Sequence, residues 1–80
     1  MNFIKAIELD AKLSALDRKK ASQCQIYDAQ NEGYCIVIQK EKANGTFLDQ
    51  LSKIAGEQHL KLEASGKFYI VCSPFTSIKL

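Results

Sequence analysis

A chain of 80 residues, 46% hydrophobic and 25% charged, has room for one domain, 1–80, and buries only about 60–65% of its unfolded surface; its composition excludes a disordered chain. Eleven basic and nine acidic side chains leave a net charge of +2, too mild to draw it to nucleic acid or an acidic membrane by charge alone. No apolar run approaches the ~20 residues of a membrane span, and Lys5, Glu8 and Asp10 interrupt the N-terminal apolar residues, so no signal-peptide core is expected.

The first segment, Asn2 to Lys20, lacks Gly and Pro and is rich in Ala, Leu, Lys and Glu, which predicts a helix. Asn2 suits the N-cap, and Arg18, Lys19 and Lys20 suit the negative end of the helix dipole. Ala6, Leu9, Leu13 and Leu16 make one apolar stripe. Phe3, Ile7 and Ala11, with Ile4 and Ala15 beside them, make a second. A surface helix ordinarily has one apolar face. Either the second stripe meets something outside the core, or the core face is wide and the C-terminal tail wraps it.

Residues 22–40 read as a β-hairpin in which Cys24 and Ile26 alternate with polar residues. A three-residue turn with Asn31 left-handed sets Ile26 against Tyr34 and Cys24 against Ile36. The run Tyr34-Cys35-Ile36-Val37-Ile38 is apolar on both faces and reads as a central strand. After a polar turn ending in Asn44-Gly45, Thr46 and Asp49 form a capping box for a second helix. Its core face is Phe47, Leu48, Leu51, Ile54 and Ala55, and Gly56 fits a left-handed C-cap.

A second hairpin covers 58–73. A three-residue turn at Ala64-Ser65-Gly66 pairs Leu62 with Phe68 and Leu60 with Ile70, gathering Leu60, Leu62, Phe68, Ile70 and Cys72 on one face. Tyr69 and Val71 then point outward. Pro74 ends the strand, leaving Phe75, Ile78 and Leu80 to dock back or hang free. The expected fold is α+β, in the order α-β-β-α-β-β, with a four-stranded antiparallel sheet and two helices.

Chemistry-bearing residues are sparse. Glycines at 33, 45, 56 and 66 build no phosphate loop or dinucleotide fingerprint. Cys24, Cys35 and Cys72 include no C-x-x-C pair, and His59 is the single histidine, so no metal centre or cofactor is expected. An odd number of cysteines without a secretion signal predicts reduced thiols in the cytoplasm. Buried cysteines act as small hydrophobes; an activated thiol needs a base and a cleft that this chain has little length to build.

Surplus apolar surface is the stronger signal, and it predicts a non-catalytic protein-interaction module, a small regulator or inhibitor that occupies a partner's surface. Phe3, Ile7, Ala11, Tyr69 and Val71 are the candidate contacts. The partner is another protein or a second copy, with no membrane involved. The alternative is a weak nucleic-acid binder using Arg18, Lys19, Lys20, Lys40, Lys42 and Tyr27, since basic clusters hold phosphates and strand tyrosines stack bases. A small thiol-dependent enzyme comes third.

Overall fold

The computed structural model describes residues 1–16, 24–43 and 45–78, apart from the side chain of Leu16. Helix α1 spans Phe3–Leu16, strand β1 Cys24–Asp28, β2 Tyr34–Gln39, helix α2 Gly45–Glu57, β3 Lys61–Ser65 and β4 Phe68–Cys72. The fold is therefore α+β, in the order α-β-β-α-β-β. The four strands form one antiparallel sheet in the order β1-β2-β4-β3, so the two hairpins join along their inner strands. β2 and β4 are the most apolar strands and hold the centre, where both faces are covered.

Asn2 caps α1 as expected: its Oδ1 accepts from the Lys5 N–H at 2.8 Å, satisfying one of the helix's free N-terminal donors. Ala6, Leu9 and Leu13 turn to the sheet and are buried. From α2 come Phe47, Leu51 and Ala55, and beneath both helices lie Cys24, Ile36, Ile38 and Val71 in one continuous core. Both helices thus cover the same face of the sheet.

The opposite face has its own, smaller core of Cys35, Val37, Ile70, Cys72 and Ile78, with Phe68 and Ala29 against it. No helix covers it. The C-terminal tail does so instead, with Thr76 and Ile78 buried while Phe75 is wholly exposed. Docking of this tail lets β4 be apolar on both sides.

The turns depart from the sequence reading. In the first hairpin Ile26 pairs with Ile36 and Cys24 with Ile38, so five residues, Ala29 to Gly33, make the connection. The shift is by two residues, so every side chain keeps its expected face. A short 3-10 turn over Gln30–Glu32 fills the connection. Asp28 Oδ1 accepts from the Gln30 N–H at 2.8 Å, and Gln30 and Gly33, rather than Asn31, take positive φ.

The second hairpin is tighter than expected. Ser65 pairs with Phe68 and Leu62 with Val71, leaving Gly66-Lys67 as a two-residue turn with Gly66 at φ 56°, the glycine-first arrangement that follows strand twist. This register puts Leu62 and Val71 under the helices and Phe68, Ile70 and Cys72 on the tail side. The expected single apolar face is thereby split, because the sheet buries both faces here.

Helix α2 also runs beyond its expected limits at both ends. Thr46 lies inside its first turn, not at the cap, and Gly56 lies inside its last. The chain leaves the helix at His59, at φ 56°. There the Leu60 N–H donates to the Ala55 carbonyl at 2.8 Å and the His59 N–H to the Gly56 carbonyl at 3.1 Å. That pairing is a Schellman motif with histidine where glycine is usual.

Candidate functional site

One face of α1 is built against the usual rule. At about 100° per residue, Ile4, Ile7, Ala11 and Ala15 fall within about 80° of one another, on the far side of the helix from Leu9 and Leu13. All four are exposed, Ile4 at 68% and Ile7 at 46%. Phe3, 49% exposed, borders them, its ring 5.0 Å from that of Tyr34 and tilted by 56°. Charged residues would ordinarily occupy this outward face. Here Glu8 and Lys12 stand along one edge of the stripe, both exposed.

Of the five residues expected at an interaction surface, Phe3, Ile7 and Ala11 come together on α1. The other two do not join them. Val71 is fully buried beneath the helices, because the tighter second hairpin turns it inward. Tyr69 lies on the same side of the sheet, between Ile38 and Ala64. It is half-buried, with Lys40 Nζ 5.7 Å above its ring. Ile4, the most exposed large side chain of the helical stripe, and Ala15 are the two members the candidate set omitted; their helical spacing beside Ile7 and Ala11 was the available signal.

The residues suited to nucleic acid are dispersed. Arg18, Lys19 and Lys20 lie outside the described residues. Lys40 and Lys42 belong to a 3-10 turn after β2. Tyr27 pairs with Cys35 near the other end of that strand, about 17 Å from Lys40 at the rise of an extended chain. Tyr27 also stands on the tail side, whereas Tyr34 and Tyr69 stand on the helix side, so the strand tyrosines share no stacking platform. A groove of about 550 Å³ beside Lys40 and Lys67 is lined also by Glu41 and Phe68, giving mixed charge in place of a basic track.

The three thiols are free and buried. Burial, with the Asp10 carboxylate adding to it, pushes Cys24 up to about 11. Burial and the neighbouring Cys72 push Cys35 up to about 11, slightly opposed by the Met1 ammonium. Cys72 is also raised by burial, with Lys61 opposing. Each is therefore a neutral thiol at pH 7, whereas nucleophilic attack and metal ligation use the thiolate. Among the described residues no three His, Cys, Asp or Glu side chains gather as a metal would require. None of the described helices is long and apolar enough to cross a membrane.

No protein-family model, curated protein or solved structure matches this chain.

Proposed function

We propose that the protein is a non-catalytic interaction module of the cytoplasm, a small regulator or inhibitor that acts by applying the outward face of α1 to another protein. The observation that carries this reading is the contiguous apolar stripe of Phe3, Ile4, Ile7 and Ala11, exposed on the side of α1 away from the core. A patch of this kind costs hydration free energy while uncovered and marks an interaction site. Three buried, neutral thiols suit a reducing compartment.

The test compares tagged wild type with Ile7→Glu as baits in nuclease-treated lysate of the source cell. Because Ile7 is 46% exposed, the variant is expected to keep the wild-type circular dichroism and melting curve. A protein held near stoichiometry by wild type, the untagged chain included, should be lost from Ile7→Glu. An unchanged set of bound proteins in a folded variant would refute the reading. Binding that appears only when nuclease is omitted would turn it toward nucleic acid.

A further inference from the structure

We propose that the occupant of this face is a second copy of the same chain, packed α1 against α1 in antiparallel orientation; the proposal rests on the interaction reading above and names its partner. The stripe is graded along the helix. Its N-terminal half carries Phe3, Ile4 and Ile7, and its C-terminal half carries only Ala11 and Ala15. A two-fold axis through the middle of this 14-residue helix, between Leu9 and Asp10, sets Ile4 of one copy against Ala15 of the other and brings Ile7 within one residue of Ala11. The large side chains Ile4 and Ile7 then meet small ones, as close helix packing requires.

The charged edge obeys the same symmetry. Glu8 and Lys12 are both exposed and, four residues apart, lie on one edge of the stripe. An antiparallel two-fold brings that edge against itself, so that Glu8 of each copy meets Lys12 of the other. One operation thus satisfies both the steric gradient and the charge pair, which is the self-complementarity that a symmetric interface needs. A lipid surface would use neither feature, since Ala11 and Ala15 insert little apolar area and the edge is charge-balanced. One helix of about 21 Å offers less than the ~800 Å² per partner of stable complexes, so the association is weak and concentration-dependent.

Sedimentation velocity on the full chain, from micromolar to millimolar concentration, tests this. Wild type should shift from monomer to dimer as concentration rises, and Ile7→Glu should stay monomeric. Glu8→Lys and Lys12→Glu should each self-associate about three- to tenfold more weakly than wild type, while both keep the wild-type circular dichroism. Their equimolar mixture should regain wild-type affinity, because the two lysines of one variant then face the two glutamates of the other. Recovery on mixing is an intermolecular effect that altered helix stability cannot mimic. A mixture no tighter than its components would overturn the antiparallel pairing. A wild type monomeric at every concentration would overturn self-association yet leave the interaction reading intact, provided that Ile7→Glu still loses a different protein in the lysate experiment. A dimer indifferent to Ile7→Glu would overturn the α1 pairing, and an unchanged set of lysate proteins bound by that variant would overturn the interaction reading with it.

Discussion

Met1 and Tyr34 exchange a pair of backbone hydrogen bonds: the Tyr34 N–H donates to the Met1 carbonyl at 2.8 Å, and the Met1 ammonium donates to the Tyr34 carbonyl at 3.1 Å. The start of the chain is thus fixed to the start of β2, and this anchors α1 over the first hairpin. Gly33, next to Tyr34, makes the approach possible. Its φ is +83°, and a Cβ there would stand 2.8 Å from the Met1 carbonyl oxygen. Gly33→Ala combines a left-handed residue with a backbone clash, and is expected to destabilise the fold by about 1–3 kcal/mol. Urea unfolding gives the loss, and faster exchange of the Tyr34 amide would place it. An unchanged midpoint would show that the Met1–Tyr34 pairing contributes nothing.

At the C-terminal end of helix α2 two residues are exchanged from their favoured places. Gly56 lies within the last turn, where a Cβ would touch nothing within 4 Å, while His59 holds the left-handed exit at φ 56°. Gly56→Ala should raise stability by about 0.5–1 kcal/mol by lowering the entropy of the unfolded chain. His59→Gly should raise it by about 1 kcal/mol by removing side-chain strain. Thermal melts of the single and double variants check both. A loss of stability in His59→Gly would mean that the imidazole makes a contact worth more than the strain.

Asp10 sits beside the core with its Oδ1 buried and without a hydrogen-bond partner among the described residues. Burial raises its carboxyl above the ordinary value of 3.8. Between the unfolded and folded pKa the native state holds the extra proton, so this group's contribution to stability falls as pH rises through that interval. Asp10→Asn cannot ionise and should be the more stable form at neutral pH, with the advantage vanishing in acid below pH 3.8. Melting temperatures of the two proteins across pH 3–7 would show this; parallel curves would rule it out.

Element type and order were legible in the sequence because helical stripes, alternating strands and the doubly apolar run at Tyr34–Ile38 are local signals. The Asn2 cap and the buried residues Leu13, Ile36 and Leu51 were legible for the same reason. Registers were not. The first hairpin is set by the Asp28 bond to Gln30 and the Met1 pairing at Tyr34, the second by a face whose cover comes from Ile78. These causes are tertiary or belong to turn chemistry that several sequences share. Val71 shows the consequence: alternation gave it a face, but only the tail determines that its opposite neighbours Ile70 and Cys72 are buried too. The α1 stripe was legible as a surplus of apolar positions, and the sheet's coverage by both helices on one side gives it its direction. The charged edge beside it needs the exposed positions of Glu8 and Lys12, which composition does not supply.

The tail's hold on the second core can be read through the thiols. Cys35 and Cys72 lie on the tail side with Ile78, and Cys24 lies on the helix side. In the native protein all three should alkylate slowly at pH 7–8, because each is buried and its pKa lies above the ordinary 9.0. Ile78→Asp would place a charge against Cys35, Val37 and Ile70, so the tail should release, at a cost of about 2–4 kcal/mol. Alkylation of Cys35 and Cys72 should then accelerate while Cys24 stays protected under the helices, as peptide mapping after brief labelling would reveal. Raised folded pKa values also mean that stability is lost as pH climbs from 9 toward 11, where the unfolded thiols ionise and the folded ones do not; that loss should shrink in Ile78→Asp. If all three thiols accelerate together, Ile78 supports the whole fold rather than one face. If none does, the tail is not what covers Cys35 and Cys72.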